Sequence, residues 1–389
     1  MPGTASFAKL LTGGAAALVL SACATTGDMD GMDTAATAPT TTRAVAAQPF
    51  QFPPASAAEP RGQMNLPFSG PNVDPGNQAV IDALLKDLNL RPYHTLTPAE
   101  ARQQPLFGAG VKAVADARGI SLAPPPGLRE ERIEVPGAEG MLDAVVVRPA
   151  TGTQPRTVVV YFHGGGWVLA SADAYIASAR ALAQKLDAVV VSVNYRLAPE
   201  AKFPAQHNDA FAAYRAVRAN AAALGGDPER MILAGESAGG NLALATAIDL
   251  RNRGLPLPRH ILSVYPVAGT DLNTESYQRA ANALPLNRAA MAWFFHHTIS
   301  SPQDLKDPRL NLVAADLKGL PPVTIVQAES DPLRTEGKML ADRLRAAGNN
   351  VENRVFEGTT HEFFGAAPVI ADAEQAQNYA VERIKSSLR

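Results

Sequence analysis

Glycines stand two residues to either side of a serine in Gly235-Glu236-Ser237-Ala238-Gly239, and this stretch narrows the possible folds more than any other. Ahead of it runs Met231-Ile232-Leu233-Ala234, a short apolar strand candidate, and behind it Gly240-Asn241-Leu242-Ala243-Leu244-Ala245 opens a helix candidate. In that setting G-x-S-x-G predicts a sharp strand-to-helix turn that lifts the serine hydroxyl clear of a sheet. The glycines answer a steric need, because a side chain at either position would collide with the neighbouring strand or helix. Gly, Ala and Ser are common here, so the pentapeptide by itself also fits an ordinary glycine-rich turn.

The surrounding pattern favours the first reading. Strands are expected at 131–135, 143–148 and 157–162, the last a continuous apolar run suited to a buried strand. From there strand and helix alternate. Helices are expected at 172–186, 204–222, 239–251, 334–347 and 370–388, and strands at 188–193, 231–234, 260–265, 323–328 and 351–356. Such alternation predicts an α/β fold, a mostly parallel sheet covered by helices on both faces. Residues 269–316 interrupt it with an insert holding Trp293-Phe294-Phe295-His296-His297. Upstream, Ile81, Leu84, Leu85 and Leu88 fall at helical spacing, and Thr97-Pro98-Ala99-Glu100 starts a helix expected to reach Arg118, broken near Gly108-Ala109-Gly110. These leading helices suit either a lid or padding on an outer face of the core.

The 389 residues, 46% hydrophobic and 19% charged, can bury a sizeable core. The net charge is -2 with no long basic run, so nucleic acid is not an expected partner. Cys23 is the one cysteine and excludes an intramolecular disulfide. It ends Leu20-Ser21-Ala22-Cys23, after Lys9 and an apolar run, the form of a secretory signal peptide. That ending resembles the lipobox of bacterial lipoproteins, which implies cleavage after residue 22 and lipidation of Cys23. Several acyl chains together anchor stably. Residues 23–70, rich in Ala, Thr and Pro, read as a disordered tether that reaches about 35 Å as a random coil. The folded domain is expected over 71–389.

A serine hydroxyl needs a base to take its proton, and the base needs a third group to orient it. In folds built around this turn the chain order is serine, acid, histidine. Asp331 follows the strand at 323–328, and His361 is the one histidine downstream of it. Order alone therefore selects Ser237, Asp331 and His361. An oxyanion also needs N–H donors fixed in advance. The glycine run Gly164, Gly165, Gly166 after the strand at 157–162, with the N–H of Ala238, supplies them. A phosphate cradle fits less well, since no lysine of the P-loop pattern follows.

With these in place, four segments in order resemble the bacterial hormone-sensitive-lipase-like esterases (family IV) of the α/β-hydrolase superfamily. They are His163-Gly164-Gly165-Gly166-Trp167, Asn194-Tyr195-Arg196-Leu197-Ala198-Pro199-Glu200, Gly235-Glu236-Ser237-Ala238-Gly239-Gly240-Asn241 and Asp331-Pro332-Leu333-Arg334. The resemblance implies an eight-stranded α/β-hydrolase fold with a helical cap from about 75–122 and the insert at about 269–316. It implies an ester hydrolase for short- to medium-chain acyl esters, with Ser237 as nucleophile, His361 as base then acid, Asp331 as orienter, and Gly165, Gly166 and Ala238 as oxyanion donors. No cofactor or metal is implied. Thr360-His361-Glu362-Phe363 departs from the more common His-Gly-Phe. Trp167, Trp293 and Phe294 are expected to shape an apolar acyl pocket, although ordinary cap packing is the alternative for each and suits Phe294 and Phe295 better. Arg196 and Glu200 are expected to bond to each other or to backbone. The alternatives are amide hydrolysis or acyl transfer on the same triad, and a non-catalytic binding protein anchored to the envelope. By resemblance to other lipoproteins, Ala24 after the cysteine favours the outer membrane.

Overall fold

The computed structural model describes residues 73–152 and 154–389. Cys23, the signal peptide and the whole of the tether lie outside the described residues. One sheet of eight strands runs in the order β1 (Leu128–Pro136), β2 (Met141–Pro149), β4 (Val189–Val193), β3 (Arg156–Phe162), β5 (Gly226–Glu236), β6 (His260–Val264), β7 (Val323–Ser330) and β8 (Val351–Thr360). β1 pairs antiparallel with β2, and β2 with β4; the remaining pairs are parallel. This is the mostly parallel α/β-hydrolase sheet that the motifs lead one to expect.

The continuous apolar strands follow from burial on both faces. Along β3, Val158, Val160 and Phe162 enter one core layer while Val159 and Tyr161 enter the other. This is the two-residue alternation of a pleated strand. The first layer takes α5 (Ala205–Ala219), α6 (Ala238–Asn252) and α9 (Arg334–Ala346). The second takes α4 (Ile176–Leu186) and α10 (Ala371–Ser387). Helix α6 is buried almost all round, which explains why its sequence is small and apolar rather than amphipathic.

The leading segment folds as α1 (Pro75–Asp82), α2 (Pro98–Ala101) and α3 (Phe107–Arg118). The Asp74 side chain caps α1 by accepting from the Gly76 and Asn77 N–H groups at 2.7 and 3.2 Å. Thr97 and Glu100 close a capping box on α2. The expected break near Gly108–Gly110 falls elsewhere. Both glycines lie inside α3, and the helical run is interrupted between α2 and α3, around Pro105. Proline lacks the N–H and turns the residue before it away from helix. Helix α4 also starts later than expected, because residues 171–175 form turns and the Ala172 N–H bonds the Asn194 side chain. Val80, Leu84, Phe107 and Val111 share the apolar layer of α4 and α10, so α1 and α3 pad one face of the core.

The insert contributes α7 (Glu275–Arg279) and α8 (Arg288–Thr298). The two irregular segments meet where Trp293 of α8 donates from Nε1 to the Leu96 carbonyl at 2.9 Å and stacks on Tyr93. Arg196 and Glu200 do not bond to each other. Arg196 grips the buried Asp209 through two nitrogens and reaches Glu139, while Glu200 pairs with Arg102. Arg102 also donates to the Val168 and Ala198 carbonyls, so the leading segment is tied to the loops after β3 and β4.

Candidate active site

Ser237 lies between β5 and α6 with φ 57° and ψ −119°, a backbone conformation that a non-glycine residue rarely adopts. Such strain costs on the order of 1–3 kcal/mol and persists where its surroundings over-determine it. Here they do. The Ser237 N–H donates to the Val264 carbonyl at 2.9 Å, and the Val267 N–H returns to the Ser237 carbonyl at 3.2 Å. A Cβ on Gly235 would lie 2.2 Å from the Gly239 carbonyl oxygen, and one on Gly239 would lie 1.9 Å from that of Phe162. Both glycines are therefore steric necessities of the turn.

The three residues selected by chain order come together in a line. His361 Nε2 is 2.9 Å from Ser237 Oγ, and His361 Nδ1 is 2.7 Å from Asp331 Oδ2. All three are buried. Asp331 follows β7 and serves two partners, since its other oxygen accepts from the Leu333 N–H at 2.9 Å ahead of α9. A helix-start role and a histidine-orienting role are thus combined in one carboxylate. His361 follows β8, on a loop that α1 braces. Buried Asn77 accepts from the Thr360 N–H and hydroxyl through Oδ1 at 3.2 and 3.0 Å. The Tyr265 ring packs 4.6 Å from the imidazole.

Burial acts to lower the basicity of His361. The Asp331 carboxylate, by charge and hydrogen bond, and then Glu362 and Glu236 outweigh it and raise the pKa above the usual histidine value. The other buried histidines behave differently. His163 stacks on Tyr195, His207 bonds Asn241, and burial brings each down to about 4. His260 on β6 is brought down to about 3. None of these has a carboxylate aligned with a nucleophile.

Gly165 and Gly166 adopt φ 93° and 59° and line the same cavity as Ser237 and His361. Their N–H groups and that of Ala238 donate to nothing among the described residues. Glycine is needed at Gly166, where a Cβ would lie 2.2 Å from the Phe294 ring. Gly164 does not line the cavity; it packs against the Tyr175 hydroxyl. The cavity holds about 60 Å³. Leu106, Phe107, Leu286, Met291 and Phe294 make its apolar wall, and Tyr93, Tyr175 and Glu362 its polar one.

Of the three aromatic residues expected in the pocket, Phe294 alone reaches it. Trp167 is fully buried in the core against Phe295 and His207, and Trp293 stands behind Phe294, edge to face at 5.2 Å. Trp167 immediately follows the glycine loop, but its φ of 62° accompanies a side chain packed in the core. Sequence reasoning overlooked Tyr175, Met291 and Glu362. The first two carry no motif, and Glu362 was visible only as a departure beside His361.

Behind the serine, Glu236 is buried and accepts hydrogen bonds from the Tyr161 and Tyr265 hydroxyls. Burial, then the charge of Glu362, raises its carboxyl to about 7 against the pull of the hydroxyl donors. Among the described residues no cluster of His, Cys, Asp and Glu could hold a metal ion.

This geometry can be set beside known proteins. Residues 159–365 match the family model for the alpha/beta hydrolase fold. The chain belongs to that family. The carboxylesterase NlhH of Mycobacterium tuberculosis is 40% identical over 285 residues, covering 71% of this chain and 89% of NlhH. The ethyl acetate hydrolase of Pseudomonas putida is 34% identical over 232 residues, 59% of this chain and 73% of that enzyme. Among solved structures, the hyperthermophilic esterase of the archaeon Pyrobaculum calidifontis superposes with a TM-score of 0.72 at 34% identity. It covers 82% of this chain and 99% of the esterase. Membership explains why the strained turn, the glycine loop and the aligned imidazole occur together on one sheet edge, where α/β folds place their ligand sites.

Proposed function

We propose that this member of the alpha/beta-hydrolase family cleaves carboxylic esters with short- to medium-chain acyl groups, and that it does so from a lipid anchor at Cys23. The chain is a serine carboxylesterase. The observation that carries the reaction is the continuous Ser237–His361–Asp331 hydrogen-bond line opening into a cavity with free backbone donors.

In the mechanism this supports, His361 Nε2 takes the proton of Ser237 as Oγ attacks the ester carbonyl. The carbonyl oxygen gains negative charge and is received by the N–H groups of Gly165, Gly166 and Ala238. Preorganised donors of this kind contribute roughly 3–4 kcal/mol each. Asp331 holds the imidazole in the tautomer that presents Nε2 to the serine and stabilises the imidazolium. His361 then gives its proton to the departing alcohol, and an acyl-serine remains. A water attacks that ester by the same route in reverse roles, and Ser237 is restored. The part of the leading segment that carries Tyr93, Leu106 and Phe107, together with the insert at 269–316, acts as the cap, while the rest of α1 and α3 pads the core. The small apolar cavity supports a short acyl group.

The decisive test is Ser237→Ala. Turnover of a short p-nitrophenyl ester is expected to fall by about 10⁶-fold. Labelling by a serine-reactive phosphonate should vanish with it. Survival of turnover would remove the serine mechanism, and a wild type inert to every short ester and to the phosphonate would favour the binding-protein alternative. Products formed with an ester, an amide and an alcohol acceptor separate hydrolysis from amidase or transferase action.

The anchor reading is supported by the lipobox-like Leu20-Ser21-Ala22-Cys23 and the tether after it. It places the enzyme on the periplasmic side of a bacterial envelope membrane, with the outer membrane favoured. Cys23→Ser should yield soluble or unprocessed protein on fractionation; unchanged membrane association would end the lipoprotein reading.

A further inference from the structure

Ester cleavage by Ser237, His361 and Asp331 makes no use of Glu362, yet this carboxylate borders the reacting atoms. Glu362 follows His361 with φ 73°, a conformation that turns its side chain to the cavity wall. Its Oε1 is 4.0 Å from His361 Nε2 and accepts a hydrogen bond from the Tyr175 hydroxyl at 2.5 Å. Among the described residues no second hydrogen-bond donor reaches the carboxylate, and no lysine or arginine lines the cavity. The side chain is 19% exposed, so a group entering from solvent can meet it.

Two observations put Glu362 on the side of the departing alcohol. First, Nε2 is the atom that hands the proton to the leaving oxygen, so that oxygen must come within about 3 Å of it. It then lies beside Glu362 wherever the acyl chain points. Second, Tyr175 and Glu362 also line a groove of about 840 Å³ that runs along α3 and α4. Leu106, Phe107, Gly108 and Ala174 are shared by both cavities, so the groove adjoins the catalytic one. The catalytic cavity is small and the space past Glu362 is large.

We propose that Glu362 is a specificity-determining residue for the alcohol part of the ester: it accepts a hydrogen bond from a hydroxyl or protonated amine carried on the carbon next to the ester-bearing one, and the remainder of the alcohol runs past Tyr175 into the groove. This rests on the ester-hydrolase reading above. The preferred substrates are then esters of polyols or amino alcohols rather than of simple alkanols. An anionic group on the carbon next to the ester-bearing one is disfavoured, because it would meet the carboxylate inside the catalytic cavity, whereas Lys112, Arg180 and Lys185 line only the groove beyond.

The test uses butyrate esters in isosteric pairs at neutral pH. 2-Hydroxyethyl butyrate is set against propyl butyrate, and 2-(dimethylamino)ethyl butyrate against 3-methylbutyl butyrate. In the wild type the donor-bearing ester of each pair should show a kcat/KM about tenfold higher. Glu362→Met should bring both ratios close to one. Glu362→Gln, which keeps an acceptor but no charge, should retain the hydroxyl preference and lose most of the amine preference. Each ratio is taken within one enzyme, so general damage from a substitution cancels. Preference in the amine pair alone would assign the site to ammonium groups, and in the hydroxyl pair alone to polyols; either supports the role of Glu362. Ratios near one in the wild type, or ratios that survive Glu362→Met, overturn it. A wild type that turns over propyl and 3-methylbutyl butyrate but shows no preference overturns this proposal alone, whereas one that cleaves none of the esters overturns the ester-hydrolase reading itself.

Discussion

The floor and the roof of the catalytic cavity are made by different kinds of sequence. The floor consists of Ser237, His361 and the glycine loop, each at the C-terminal end of a parallel strand, with Asp331 just behind. Backbone geometry holds it: a strained serine, carbonyl oxygens packed against glycine α-carbons, and hydrogen bonds between neighbouring strands. The roof consists of Phe107, Leu286, Met291 and Phe294, carried by short helices and irregular links. Side-chain packing holds it, for example Tyr93 against Trp293 and Phe294. A floor of this kind tolerates almost no change, because the atoms that would have to move belong to the sheet. A roof of this kind can exchange one apolar side chain for another at modest cost. Chemistry is thus fixed below and selectivity is adjustable above.

The sharpest way to break the contrast is at the orienting carboxylate. Asp331→Asn should lower kcat by about 10⁴-fold while leaving the fold intact, since the asparagine keeps the size of the side chain. The pH profile carries the sign. Activity requires neutral His361, and Asp331 is the largest influence raising the pKa of that imidazole. Removing the charge lets the imidazole lose its proton at lower pH, so the acidic limb of the residual kcat/KM should move down. A limb that stays put would mean that the orienting charge lies elsewhere.

Next in size is the steric claim. Gly239→Ala forces a Cβ to 1.9 Å from the Phe162 carbonyl oxygen, on a central strand. Thermal or urea unfolding should show a loss of about 3 kcal/mol or more. A loss under about 0.5 kcal/mol would show that the turn can relax and that the floor is less rigid than its contacts imply. The smallest effect belongs to the roof. Met291→Trp should narrow the cavity and leave acetate turnover within a few-fold of the wild type. The acetate-to-hexanoate ratio in kcat/KM should rise about tenfold, the scale on which an apolar pocket discriminates chain length. An unchanged chain-length profile would remove Met291 from the acyl site.

Legibility in the sequence followed the same division. Gly235 and Gly239 could be read because the turn leaves no space for a Cβ, and local sterics are written in local sequence. Asp331 and His361 could be picked by order, since parallel strands deliver their loops to one edge in a set sequence. The break between α2 and α3 was misread because two glycines drew attention from Pro105, although glycine only weakens a helix while proline stops it. Trp167 and Trp293 were misplaced for another reason. An aromatic residue beside a catalytic loop carries no mark of whether its ring turns to the cavity or to the core. Here Trp167 is surrounded by Phe295 and His207 of two helices distant in sequence.

Periodicity and steric exclusion act over a few residues, so the sheet, its alternating helices and the residues of its serine turn are legible in the chain alone. The packing of distant elements sets which side chains wall the cavity, that Glu236 is clasped by two tyrosines, that Arg196 pairs with Asp209, and that Glu362 and Tyr175 border both a small catalytic cavity and a larger groove. Those arrangements depend on where separate elements cross, and crossing is set by the packing of the whole core rather than by any stretch of chain.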